Sequence, residues 1–337
     1  MRDYLETSMF PSIKIGRVSV PRLILGNLPF LGESYQGPER NRNYAERFGN
    51  IDTTIKLLKH AISDYGLTVV GVMPPMMGQL SRLFFEALKT ASAETGVDVG
   101  LIACFMIPLS IRGKKVDDCR RWLTYHMIEA RNGIETSTKY LTDPILLCRE
   151  GWAERFSQAI ANLDPYGSEE IEDMTLDVPR LKDVLLSLEG FRILLIEPGS
   201  ETDFLTLTGR TDILEEAVST ARDRMGCPVV VGTHHAGSTI PILEDTQIDI
   251  SGYVTPLNTI GALMLPTVER ALRAIRSARR PVIAIKAMAG GRVPPKEAFR
   301  HVFDEVGVAS CMIGVATEAE LREDVQAASH FILRKDS

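Results

Sequence analysis

V-V-V-G-T-H-H-A-G, residues 229–237, is a run of valines that ends in a glycine, a threonine and two adjacent imidazoles. A short apolar run bounded in this way suits a strand buried on both faces. If that strand belongs to a closed barrel, His234 and His235 stand at its C-terminal end, the face where such barrels carry their reactive groups.

The flanking sequence repeats the same rhythm. Upstream, helix 178–188, strand 191–196 and helix 213–225 lead into the stretch; downstream come strand 248–254, helix 266–278, strand 282–285, helix 295–305, strand 309–313 and helix 318–329. The N-terminal part supplies a β-hairpin from residue 13, a strand ending at Asn27, a polar loop over 29–50, a helix from 51, the strand-like L-T-V-V-G-V-M, a helix over 80–93 and a strand over 97–107. Eight short apolar strands in βα alternation close most simply as a (β/α)8 TIM barrel of the α/β class. An open doubly wound sheet is the competing arrangement, but no strand leads into the G-x-G-x-x-G turn that would mark a dinucleotide site there.

The alternation breaks once. After Pro108 roughly 70 residues interrupt it, far more than an ordinary connection needs. The chain therefore reads as one barrel domain over residues 1–337 with a helical insertion over 109–177. The insertion leaves strand three at the mouth and is placed to act as a lid, with Arg112, Lys114, Lys115, Arg120 and Arg121 either facing an anionic substrate or lying on a solvated helix face.

Composition narrows the class. With 337 residues, 45% hydrophobic and 24% charged, the chain can bury a full-sized core. Its net charge of −6 argues against nucleic acid and anionic membrane as partners, both of which require concentrated basic surface. No apolar run is long enough to span a bilayer, and the first eight residues carry no apolar signal core. Five scattered cysteines without a C-x-x-C pair suit the reducing cytoplasm.

Three strand ends carry the candidate chemistry. Glu197 ends strand four and His234 with His235 ends strand five; neighbouring strands lie about 4.8 Å apart, so a carboxylate and imidazoles can converge there. Such a set suits either a Zn, Mn or Fe ion with open positions or a metal-free acid–base pair. Strand parity supports His234 in the pocket more firmly than His235. Lys286 ends an otherwise apolar strand, V-I-A-I-K, as a binder of carboxylate or phosphate, as a Schiff-base amine, or as a salt-bridge partner of Glu197; anion binding is the reading preferred. The A-G-G-R turn with Arg292 and the G-V-A-T-E turn with Gly314 and Thr317 follow strands seven and eight, where barrels commonly hold phosphate on backbone amides.

Beside these residues the chain resembles the aldo-keto reductase superfamily. I-K-I-G-R-V-S-V-P-R-L-I-L-G-N is similar to the family's opening hairpin and first strand, and L-K-D-V-L-L-S-L-E-G-F-R-I-L-L-I-E to the segment leading through strand four. V-G-T-H-H-A-G-S-T-I-P-I-L-E, T-P-L-N, I-A-I-K-A-M-A-G-G and V-A-S-C-M-I-G-V-A-T-E-A-E-L resemble strands five to eight with their turns. The resemblance implies an NADP-dependent oxidoreductase with an Asp, Tyr, Lys and His tetrad. The aligned positions are instead Gly71, Met76 or Met77, Cys104 or Phe105, and Glu197. Thr233 and His234 replace the Ser–Asn pair that holds the nicotinamide carboxamide. Gly314 and Thr317 match, while Glu320, Leu321 and Arg322 stand around the place where the family's basic residue would meet the cofactor phosphate, with an acidic or apolar residue at the aligned position.

The leading expectation is an enzyme that acts on a small anionic metabolite by acid–base or metal-assisted chemistry, as a lyase, isomerase or hydrolase. Glu197, His234, His235 and Lys286 would be catalytic, and Arg292, Gly314 and Thr317 would hold the anion or cofactor. An NAD(P)H-dependent oxidoreductase with a new proton donor is the alternative, and a non-catalytic binding module is the third. Oligomeric state is left open.

Overall fold

The computed structural model describes residues 9–334, so the N-terminal segment read above for a signal core lies outside the described residues. Eight parallel strands, β1 (Leu23–Gly26), β2 (Val69–Val72), β3 (Gly100–Phe105), β4 (Ile193–Pro198), β5 (Val230–Gly232), β6 (Gly252–Pro256), β7 (Val282–Ile285) and β8 (Ser310–Ile313), form one sheet. Its order runs from β5 through β8 to β1 and on to β4. A parallel bridge between Ile196 and Val229 brings β4 back to the start of β5 and closes the barrel.

Each barrel strand is short and nearly free of polar residues because it is covered on both faces. Ile24, Val69, Ile102, Val230, Val254 and Ile283 pack inside, while a larger apolar layer lies between the strands and the helices. The N-terminal hairpin, Ser12–Ile15 paired with Val18–Pro21, adds Ile15 and Val20 to the inner cluster and so plugs the end opposite the mouth.

One contact inside the barrel fixes residue 71, where the resemblance would put the tetrad's Asp, as a glycine. A Cβ added at Gly71 would lie 2.3 Å from the Sδ of Met312. The space that a side chain at residue 71 would need is filled by a thioether from β8. Gly71→Ala is therefore expected to cost about 1–3 kcal/mol by overpacking. Urea unfolding checks this, and shortening the neighbour with Met312→Ala should remove most of the cost.

Among the helices that the sequence reading does not contain, two bear on the site. Residues 38–48, read as polar loop, form a helix with Pro38 at its first turn; Tyr44 and Phe48 at i and i+4 turn inward, and Phe48 packs 4.7 Å from Phe30. The short helix Glu201–Leu207 buries Thr202, Asp203, Phe204, Leu205 and Thr206 directly behind β4 and β5. Its apolar count is too small for periodicity to find it. Tertiary burial makes it.

The insertion is more than helical. Leu109–Ile111 pairs antiparallel with Lys114–Lys115 and with Met174–Leu176, so the segment starts and ends in one small sheet. Between these strands run helices Asp118–Arg131, Ser137–Thr142 and Trp152–Asn162, joined by an aromatic cluster in which Trp152 stacks on Phe156 at 5.1 Å and Trp122 meets Tyr140 edge-on at 4.9 Å. Polar contacts tie it to the mouth: Lys139 Nζ donates to Gly261 O at 2.7 Å, the Asp143 carboxylate accepts from Leu263 N at 2.7 Å, and Glu129 accepts from Ser238 Oγ at 2.5 Å. Of the five basic residues expected to line a lid, Arg112, Arg120 and Arg121 are paired with acids, respectively Asp173, Glu170 and Glu201. Lys114 and Lys115 are exposed on the small sheet.

Candidate active site

The two histidines part company at the end of β5. The strand stops at Gly232, Thr233 turns outward, and the backbone then delivers His234 toward the mouth and His235 away from it. His235 is fully buried among Trp122, Tyr125 and Tyr140, and its Nε2 lies 2.8 Å from the Tyr140 hydroxyl. It joins the barrel to the insertion rather than serving the pocket.

What holds this corner is Asp203, a residue the sequence reading missed. Its carboxylate accepts from the hydroxyls of Thr233 and Thr239 and from the amides of His234, at 2.9 Å, and His235, at 3.3 Å. Burial alone would raise its pKa, but the adjacent His235 imidazole, with His234 and Thr233, holds it below the ordinary aspartate value. Asp203 thus stays ionised and fixes where the backbone at His234 lies.

Across the mouth stand Glu197 and Lys286. Glu197, in register with Cys104 on β3, is almost wholly buried. Burial pushes its carboxyl up to about 8, against the pull of the Cys104 thiol and Lys286. Burial lowers Lys286 to about 8, against the opposing pull of Glu197, and Arg149 lowers it further. Lys286 has φ 57°, in the left-handed region that non-glycine residues rarely occupy, and its Nζ lies 4.9 Å from the centre of the Tyr35 ring. Tyr35 is itself in that region, with φ 55°. No ion pair or hydrogen bond of Lys286 occurs among the described residues, so the alternative of a salt bridge to Glu197 is not formed.

The neutral form of His234 is strongly favoured. Burial, then the charges of Lys286 and Arg149, hold its imidazole well below the ordinary value, with Asp203 pulling the other way. Arg149, from the insertion, is the second residue that sequence reading missed. Its guanidinium lies 5.3 Å from the ring centres of both Trp122 and Trp152, with Asp118 at 3.6 Å. Indole faces hold the cation in place without consuming its donors.

Gly232 makes this arrangement fit. A Cβ there would approach the Glu197 Oε1 to 2.7 Å. Gly232→Ala is expected to displace that carboxyl and lower turnover by roughly tenfold or more while the far-UV circular dichroism stays unchanged.

The expected metal set is not assembled. His235 faces the insertion, and among the described residues no three His, Cys, Asp or Glu side chains gather as a metal would require. Glu197 and His234 share the mouth without a third ligand.

The expected anion and cofactor residues are engaged elsewhere. Arg292 donates to the carbonyls of Tyr35 at 2.7 Å, Ala289 at 2.8 Å and Pro144 at 3.2 Å, which clamps the loop after β1, the turn after β7 and the insertion together. Gly290 lies against Tyr35, where a Cβ would meet its carbonyl at 2.7 Å, and Gly314 lies against Pro29 at 2.9 Å. Thr317 caps the final helix, Glu318–Ile332, by accepting from Glu320 N at 3.0 Å, and the Glu320 carboxylate accepts from Ala316 N at 2.7 Å. The glycine turns and helix terminus that would receive a dinucleotide phosphate meet instead the chain's own loop and a carboxylate, and the Thr233 hydroxyl is spent on Asp203. These residues do not fit NADP.

The reductase tetrad is likewise absent from its aligned places. Gly71 is covered by Met312, Met76 and Met77 are exposed on a 3-10 turn, Cys104 lies beside Glu197, and Glu197 itself takes the last position.

No protein-family model matches the sequence, and no curated protein matches it. Solved structures do. Two chains from Pseudomonas aeruginosa, both assigned as aldo-keto reductases, align with TM-score 0.55 at 15% and 14% identity, covering 99% and 98% of this chain and 100% and 99% of their own. A Bombyx mori aldo-keto reductase in complex with NADP aligns with TM-score 0.47 at 12% identity over 96% of this chain and 92% of its own. The hairpin plug, the eight parallel strands and the two full-length alignments together give this chain the (β/α)8 scaffold of the aldo-keto reductases, without their tetrad.

Proposed function

We propose that this protein is an enzyme that acts at the barrel mouth on a small carbonyl compound bearing a carboxylate or phosphate, by acid–base chemistry. The carrying observation is that Glu197 and Lys286 act on each other's charge, and Lys286 and Arg149 on that of His234, with the Cys104 thiol beside Glu197 and Asp118 3.6 Å from Arg149. Lys286, half-buried, has no hydrogen bond or ion pair among the described residues, and an anionic carbonyl ligand held beside Glu197 and Arg149 would give it one.

In this reading Arg149 binds the anion and Glu197 moves the proton. A carboxyl with a pKa near 8 is protonated at neutral pH and can donate to a carbonyl oxygen, then take a proton back from the adjacent carbon. Neutral His234 offers one ring nitrogen as a hydrogen-bond donor or acceptor to the same substrate. Isomerase and lyase reactions both begin with this step. Five free cysteines and the lack, among the described residues, of a helix long and apolar enough to cross a membrane support placing the enzyme in the cytoplasm.

NAD(P)H-dependent reduction is the second reading, and the likeness to solved aldo-keto reductases favours it. The proton donor would then be His234 or a residue of the insertion, and the loop that lies against Gly290 through Tyr35 and against Gly314 through Pro29 would have to move to admit a dinucleotide. Two measurements separate the readings. Acid–base chemistry predicts enzyme-dependent exchange of deuterium from solvent into the carbon beside the carbonyl of pyruvate or another 2-oxo acid, without nicotinamide, and no binding of millimolar NADPH by calorimetry. Tight NADPH binding with no exchange across a panel of 2-oxo acids and sugar phosphates would reverse the preference.

A further inference from the structure

We propose that Lys286 is a covalent catalytic residue whose amine condenses with the substrate carbonyl to an iminium, which makes this a Schiff-base enzyme for 2-oxo acids and related anionic aldehydes and ketones. The inference rests on the carbonyl substrate proposed above and adds the bond through which it is activated.

Four observations point to the amine as nucleophile rather than as anion binder. Lys286 makes no ion pair or hydrogen bond among the described residues, so nothing ties up its nitrogen. Its one ring contact is the face of Tyr35, at 4.9 Å, which supports the chain while leaving the nitrogen's lone pair free once it is deprotonated. The backbone holds residue 286, just past the end of β7, at φ 57°, a conformation that a lysine adopts only where the surroundings impose it, and its side chain comes within electrostatic reach of Glu197. Arg149 already supplies a permanent cation for the substrate's acidic group, seated between Trp122 and Trp152 on the insertion side. A second cation is not required there.

The step balances with groups in the mouth. Neutral Lys286 Nζ attacks the carbonyl carbon; a C–N bond forms as the C=O π pair moves to oxygen. Oxygen takes one proton from the Glu197 carboxyl and one from nitrogen, and leaves as water as the C=N bond forms. The products are an iminium cation, a Glu197 carboxylate facing it, and one water; nothing is oxidised or reduced. The iminium withdraws electrons from the adjacent carbon, and the Glu197 carboxylate, now a base, removes the proton there. Burial around Lys286 and Glu197 favours the uncharged amine and acid that start this sequence.

The test uses the full chain, glyoxylate as carbonyl probe and cyanoborohydride as trap, with peptide mass mapping of every lysine. The expected result is a carboxymethyl adduct on Lys286 that forms on the order of tenfold faster than on any other lysine, saturates with glyoxylate and is suppressed by pyruvate. Lys286→Arg should lose that adduct and leave the slow labelling of surface lysines unchanged. If Lys286→Arg does not fold, the wild-type map alone decides. Labelling spread evenly over surface lysines, or an unmodified Lys286 peptide, overturns the proposal. An unmodified Lys286 with solvent deuterium exchange intact removes the iminium and leaves the acid–base reading standing; the loss of both removes both.

Discussion

Glu197→Gln is expected to lower solvent deuterium exchange into a bound 2-oxo acid by about 10²–10⁴-fold, the usual worth of a positioned acid–base group. Glutamine keeps the volume and one hydrogen-bond donor but moves no proton. The same substitution should stabilise the fold. Because the folded pKa, near 8, lies above the ordinary glutamate value, the native state holds a proton that the unfolded chain releases, so the wild type loses stability as pH rises from about 4.5 to 8. Glu197→Gln should flatten that slope and raise the melting temperature at pH 7.5. Slower exchange with a higher melting temperature separates a catalytic carboxyl from a merely structural one, whose removal would lower both. The rate should also peak near pH 8, because Glu197 must be protonated while Lys286 must be free, and the two lie close to the same value from opposite sides.

Asp203→Ala is expected to give the largest loss of stability, about 3–5 kcal/mol in urea unfolding, because it strips the acceptor from two buried hydroxyls and two backbone amides at once. Asp203→Asn should cost less, since one amide oxygen still accepts. The pH dependence has the opposite sign to that of Glu197. Asp203 has a folded pKa below the ordinary aspartate value, so its contribution is present above pH 4 and disappears as pH falls through the folded value. An acid limb of the stability profile that is unchanged in Asp203→Asn would contradict this assignment. Both Asp203 variants should also lower activity, because the backbone carrying His234 is no longer held.

The opposed behaviour of these two carboxylates shows how far a sequence reading extends. Glu197 was legible because it interrupts an apolar strand, I-L-L-I-E, at its C-terminal end, and Lys286 for the same reason in V-I-A-I-K. Asp203 sits in E-T-D-F-L-T-L, where acid, hydroxyl and apolar residues mix without a period. Nothing local marks it as buried. Arg149 lies in C-R-E-G-W, an ordinary polar turn until Trp122, far back along the chain, closes over it.

The histidine pair draws the line most sharply. Composition and the alternation of short apolar runs with amphipathic ones determined the barrel, its eight strands, the place of the insertion and the strand ends that carry Glu197, His234 and Lys286, since each of these is written in local periodicity. Parity along β5 favoured His234 over His235. Only the tertiary structure decided that His235 belongs to the insertion's aromatic cluster, that Arg292 is spent on the carbonyls of Tyr35, Ala289 and Pro144, and that Met312 excludes a side chain at Gly71. Those outcomes depend on contacts between residues far apart in the chain, where the direction of a side chain is set by what packs against it and not by its neighbours in sequence.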